Sequence, residues 1–304
     1  MAFAHALGDS STSSGAPTTK AKRKLTPYLL LLPGGLWLGI FFVIPIFILF
    51  MTALQTPLPD GLPGQYIQTF TFSNFTEVLS RPQFLDALRR SFTYASLATL
   101  LALAIGYPLA YAIAFKAGKY KNIMLIMVIA PFFVSFILRT IAWRQILGDE
   151  GPVLDVMRFI GLASETTSVY PSSFSVVAGL AYNFLPFMTL PIYSSLERMD
   201  VRLIEASGDL YAHGLTTFRK VTLPISLPGV VAGTLLTWIP SAGDYINASL
   251  LGNQRTTMIG NVIDSRFLGN VDYPTAAVLS FTLMLSILIL VSLYVRRTGT
   301  DELV

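Results

Sequence analysis

Six stretches of this sequence contain no Lys, Arg, Asp or Glu, and each is long or nearly long enough to cross a lipid bilayer. They are Tyr28 to Thr52, Ser91 to Phe115, Asn122 to Leu138, Ser172 to Leu196, Val221 to Gly243 and Tyr273 to Val295. A helix rises about 1.5 Å per residue, so about 20 apolar residues span a hydrocarbon layer about 30 Å thick. The third stretch is the shortest and is expected to run on through Arg139 and Trp143 toward Leu147. Barrel strands would be about 10 residues long with alternating polarity, so the pattern calls for helices. The expected fold class is therefore an all-α membrane protein with six transmembrane helices. A content of 53% hydrophobic and 12% charged residues in 304 agrees with it.

Basic residues orient the spans. With both termini inside, the inner segments hold Lys20, Lys22, Arg23, Lys24, Lys116, Lys119, Lys121, Arg198, Arg202, Arg219, Lys220, Arg296 and Arg297, 13 of the 21 Lys and Arg. That excess on one face sets the orientation of a multi-pass protein. It also accounts for the net charge of +4 without a nucleic-acid partner. Cysteine is absent, which excludes disulfides, thiolate metal sites and a cysteine nucleophile. His213 stands without other ligands at metal spacing and reads as a surface contact, so no metal is expected. The serines lack a His partner within the spans, and no nucleophile, base and orienter set is found.

Residues 1–24 read as a mobile tail ending in the basic cluster Lys20 to Lys24, residues 25–297 as the membrane domain, and residues 298–304 as a second tail. The first apolar run is too long for a signal peptide and lacks a small-residue cleavage site, so an uncleaved first span is expected. Two amphipathic helices are expected at the outer surface. One carries Phe72, Phe75, Val78 and Leu79, the other Val153, Val156, Met157 and Ile160 on one face. Prolines 45, 108, 131, 186, 191, 228 and 240 lie within or at the ends of spans. There the carbonyls they leave unpaired can be satisfied by neighbouring helices or a wet cavity.

Between the fourth and fifth spans lies residues 197–224, ERMDVRLIEASGDLYAHGLTTFRKVTLP, a polar helix-turn-helix between two apolar blocks. Its Glu205, Ala206, Ser207, Ala212, Phe218, Val221, Leu223 and Pro224 resemble the signature (the EAA motif) of the membrane subunits of binding-protein-dependent ABC importers. That signature reads Glu-Ala-Ala, then Gly four positions after the second Ala, then an apolar pattern closing in Leu-Pro. Here Ser207 replaces the second Ala and Tyr211 replaces the Gly. The likeness extends over Pro171-Ser172-Ser173, Leu185-Pro186-Phe187-Met188, Ile259-Gly260-Asn261-Val262-Ile263 and Asp272-Tyr273-Pro274, and is strongest with the spermidine/putrescine permease branch.

The resemblance implies a type I importer permease fold with a cytoplasmic coupling helix, in a bacterial inner membrane. It implies as partners an ATPase dimer, a second homologous permease subunit and an external substrate-binding protein, with lipid around the spans. No cofactor is expected on this chain. A phosphate-binding Gly-x-x-x-x-Gly-Lys-Ser/Thr loop is missing, so ATP and Mg are used by the separate ATPase. Docking is assigned to Glu205, Ala206, Ser207, Asp209, Leu210, Tyr211, Ala212 and Phe218. Ala206, Leu210 and Phe218 are expected to pack between the two short helices while Glu205, Asp209, Arg219 and Lys220 face the partner. Gly208 and Gly214 are expected to provide the backbone freedom that the family Gly gives.

The expected substrate path runs past Asp244, 16 residues beyond Pro228 and so about 24 Å along the span. A carboxylate there suits a polyamine cation; a salt bridge to Arg139 or Arg144, or exposure at the outer interface, would equally account for it. Tyr245, Trp143, Tyr182 and Asn183 could line the same route through aromatic faces and an amide, or serve as interfacial anchors. Arg139 and Arg144 are expected to snorkel to the outer headgroups. Alternatives to polyamine import are import of another small solute, such as a phosphonate, a sugar or ferric ion, and an autonomous ion-coupled transporter.

Overall fold

The computed structural model describes residues 26–164 and 166–298. The expected N-terminal tail, residues 1–24, and residues 299–304 of the expected C-terminal tail lie outside them; Thr298 closes the last helix. The described residues fall into two units, divided between Ile48 and Leu49.

The first unit holds α1, Thr26–Leu38, a π-turn, Gly39–Val43, and the start of α2, Ile44–Ala53. Pro45 has no N–H for the Phe41 carbonyl, and the helix widens just before it. Leu30–Ala53 is long and apolar enough to cross a membrane, as expected for the first span.

In the second unit, β1, Gln55–Pro57, and β2, Tyr66–Gln68, form an antiparallel hairpin within the turn-rich segment, a small addition to an otherwise helical chain. Next come α3, Ser73–Ser80, and α4, Pro82–Phe115, which starts well before the apolar block it contains. They are followed by α5, Lys121–Ile129, α6, Phe136–Leu147, α7, Pro152–Phe159, and α8, Ser173–Glu197. Two short helices, α9, Arg202–Asp209, and α10, Gly214–Thr217, lead through a second π-turn, Phe218–Thr222, into α11, Leu223–Ala242. This π-turn also sits just before a proline, Pro224, which cannot donate to the Lys220 carbonyl. The chain ends with α12, Ile246–Leu251, α13, Ile259–Asp264, and α14, Tyr273–Thr298.

Among the described residues five helices qualify as spans, and a sixth arises if Gly118–Phe133 and Phe136–Phe159, bent by 99°, count as one. The third span is thus not the continuous helix expected up to Leu147. Pro131 forces a 3-10 turn over Ala130–Phe133, and Val134 and Ser135 are extended, so the helical ladder stops and restarts in a new direction.

The core is the packing of α4, α8 and α11. On α4 the residues Ala98, Ala102, Gly106 and Ala110, four apart, form a buried stripe of small side chains. On α11, Gly229 and Gly233 do the same. A Cβ on Gly229 would lie 2.5 Å from the Pro191 carbonyl oxygen, and one on Gly233 2.9 Å from that of Met188. Small residues at this spacing let backbones approach where apolar burial gives no driving force between helices. A second cluster, including Ala53, Val78, Phe84, Ile259 and Val278, joins α3, the start of α4, α13 and α14.

Both amphipathic helices are present as α3 and α7. In α7, however, Leu154 is the fully buried residue, while Val156 and Ile160 are exposed. Val153 and Met157 on the expected face are half-buried, so that face is partly covered and partly open.

Candidate functional site

Residues 197–224 form the expected helix-turn-helix. Ser207 on α9 and Thr217 on α10 are both buried and their hydroxyls meet at 2.8 Å. Because Ser207 Oγ donates to the Ile204 carbonyl at 2.7 Å, Thr217 supplies the hydrogen between them. The pair, not Ala206, Leu210 and Phe218 together, holds the short helices side by side. Ala206 is exposed and Leu210 is 81% exposed, while only Phe218 is partly covered. The reason lies in the helix phase, which turns Ile204 and Ser207, three apart, inward and sends Leu203 and Leu210 outward. Glu205, Asp209, Arg219 and Lys220 are exposed as expected, and Ala212 is half-buried.

The turn after α9 departs from expectation. Tyr211 itself takes the left-handed conformation, φ +56°, whereas Gly208 and Gly214 have ordinary negative φ. Its N–H donates to the Gly208 carbonyl at 2.9 Å, and the Ala212 N–H donates to the Ser207 carbonyl at 3.0 Å. This is the Schellman closure, in which the left-handed position is normally glycine. Gly208 and Gly214 cannot take over the role, because the geometry of the helix end requires the left-handed residue at position 211.

Phe218 links the element to the spans. Its ring meets Tyr107 of α4 edge-on, centroids 5.5 Å apart, and Tyr107 Oη lies 2.7 Å from Ser226 Oγ of α11. At the same end, Lys121 pairs with Glu197 and lies over the Tyr193 ring, tying α5 to the end of α8.

The second candidate region gathers α6, α8 and the α11–α12 junction. Asp244, only 9% exposed, accepts from the Asn247 backbone N–H at 2.7 Å and from Asn247 Nδ2 at 3.1 Å. Asn183 Nδ2 donates to Asn247 Oδ1 at 3.0 Å and to Thr140 Oγ1 at 3.2 Å. Asp244 and Asn183 are thus connected, through Asn247 and Thr140, which sequence reasoning missed. The signal for Asn247 was its place three residues after a carboxylate, the spacing of a side-chain cap.

Among the described residues Asp244 pairs with neither Arg139 nor Arg144. Arg139 does not snorkel: it is 8% exposed, over the rings of Phe132 and Phe136 at 5.4 and 5.5 Å, with Nε and Nη1 unpartnered. Those rings lie on either side of the Pro131 bend, which folds an aromatic cover over the guanidinium. Arg144 is exposed. Trp143 and Tyr182 touch each other, centroids 5.2 Å apart, and Tyr245 is 46% exposed. Among the described residues no group of three His, Asp or Glu could hold a metal.

Residues 106–297 match the sequence model of a family described as the binding-protein-dependent transport system inner membrane component. The spermidine/putrescine transport system permease protein PotB of Haemophilus influenzae is 32% identical over 260 residues, 86% of this chain and 90% of that one. The Escherichia coli inner membrane ABC transporter permease protein YdcU is 32% identical over 290 residues, 90% of each. In fold, the chain is similar to a chain of a bacterial alginate ABC transporter crystallised with its alginate pentasaccharide-bound periplasmic protein. The TM-score is 0.70 at 18% identity, covering 92% of this chain and 96% of that one.

Proposed function

Since the chain belongs to the family of binding-protein-dependent transport system inner membrane components, a group of multi-pass permease subunits of ABC importers, we propose that it moves a polyamine such as spermidine or putrescine inward. It is a transport subunit, and ATP is hydrolysed by a separate protein. We place both termini and residues 197–224 on the cytoplasmic side, where an ATPase pair grips the α9–α10 element. A second permease subunit completes the pathway, and an external binding protein delivers the solute.

The observation that carries this reading is the continuity of the exposed element with the core. Phe218 lies between α10 and α11 and bears on Tyr107 of α4, which is bonded to Ser226 of α11. A push on α9 therefore reaches the two helices whose close packing against α8 forms the core. Rigid elements with discrete packings convert such a push into alternating inward-open and outward-open states. The polyamine assignment draws on the kinship with PotB over most of both chains. A buried carboxylate at Asp244, held by amide donors and not neutralised by an arginine, is an attractive station for a passing ammonium group. Trp143 and Tyr182 offer ring faces on α6 and α8, the helices that carry Thr140 and Asn183.

The test is reconstitution of the whole complex in vesicles with the external receptor on one side and ATP on the other. Spermidine or putrescine is expected to stimulate ATP hydrolysis and to accumulate. Stimulation by another solute class alone would overturn the polyamine assignment; uptake by this chain alone, driven by an ion gradient, would overturn the importer assignment.

A further inference from the structure

We infer that Tyr211 is a specificity residue of the cytoplasmic element, an aromatic plug that enters a ring-sized apolar pocket on its own ATPase partner. The inference rests on the importer reading given above and names what that contact recognises.

The turn at position 211 is fixed as left-handed by two hydrogen bonds, from Tyr211 N–H to Gly208 and from Ala212 N–H to Ser207. An L-residue with a Cβ is disfavoured there, and glycine is not. A tyrosine that returned the cost inside its own chain would be packed or hydrogen-bonded. Instead it is 94% exposed, and among the described residues its hydroxyl has no hydrogen bond and its ring no aromatic contact. A conformational cost with no intramolecular return points to a contact with another molecule.

The surroundings say what kind. Leu210, next to it in sequence, is 81% exposed and Leu215 on α10 is 71% exposed, with Asp209 and Arg219 exposed beyond them, so the element presents apolar side chains to its surroundings between charged ones. That is the layout of a protein-binding anchor, an aromatic centre with a polar rim. The Ser207–Thr217 hydroxyl pair holds the tip before binding, which lowers the ordering cost. The matching pocket is lined by apolar side chains, with a hydrogen-bonding group at its floor for the phenol.

The experiment titrates the intact permease complex in lipid nanodiscs with its purified ATPase, comparing the natural protein with Tyr211→Gly and Tyr211→Phe. Tyr211→Gly is expected to weaken binding at least tenfold while the melting temperature of the permease stays level or rises, because the turn is relieved. Tyr211→Phe should recover most of the affinity. Unchanged affinity in Tyr211→Gly, or a fall in its melting temperature, overturns the plug. If affinity is unchanged but Glu205→Ala and Phe218→Ala still uncouple transport, the plug alone fails. If all three variants transport normally, the importer reading fails with it.

Discussion

The α9–α10 element and the chain of polar groups around Asp244 treat their side chains in opposite ways. In the first, one polar pair, Ser207 and Thr217, is buried to hold the shape, and apolar groups are left outside. In the second, four polar residues from three parts of the chain are buried together and bond to one another. An outward apolar tip gains only when something covers it, whereas an inward polar chain gains only if something polar passes or if it holds helices in register. The contrast separates a handle from a lining.

The strongest way to break that division is at Phe218. Phe218→Ala or Glu205→Ala is expected to reduce ATP-driven uptake to background with the complex still assembled; uptake at the natural rate in both variants would mean the element is no handle. Next in size is Asn247→Leu, which leaves Asp244 the backbone N–H but removes the Nδ2 donor to its buried carboxylate and the Oδ1 acceptor for Asn183. A loss of about 3 kcal/mol is expected, read as a lowered melting temperature in detergent. Asp244→Asn keeps the shape but not the charge. Polyamine flux should fall about tenfold, equivalent to about 1.4 kcal/mol, with assembly intact, and unchanged flux would remove Asp244 from the lining. The smallest effect belongs to Ser207→Ala, which leaves Thr217 Oγ1 without its partner at a cost of about 1 kcal/mol. Adding Thr217→Val should recover most of that loss, and a strictly additive double variant would show that the hydroxyl pair does not hold the helices.

The spans were legible because uncharged blocks of bilayer length have few alternatives, and the docking element because its charge contrasts with its flanks. What could not be read was direction. Pro131 looks in the sequence like any proline in a span, yet here two extended residues follow it and the helix turns by 99°. The same bend supplies the rings that cover Arg139, so its burial was illegible for the same reason. Within the element, the signature identified position 211 but not which backbone would bend. The structure places the left-handed residue at Tyr211 because the hydrogen bonds closing α9 demand it at that step of the chain. Thr140 escaped notice because its value comes only from meeting Asn183 and Asn247 across separate helices, whereas Asn247 left one local trace, its spacing from Asp244.

The widened turn at Phe218–Thr222 has a further consequence for azimuth. A π-turn carries one more residue than an α-turn, so everything upstream is rotated by about 100° around the axis of the following helix. Excising a single residue there would keep every docking side chain yet aim the tip a quarter-turn or more away from its motor. The compass bearing of the lever is thus set by Pro224, which denies the preceding coil its ordinary pitch.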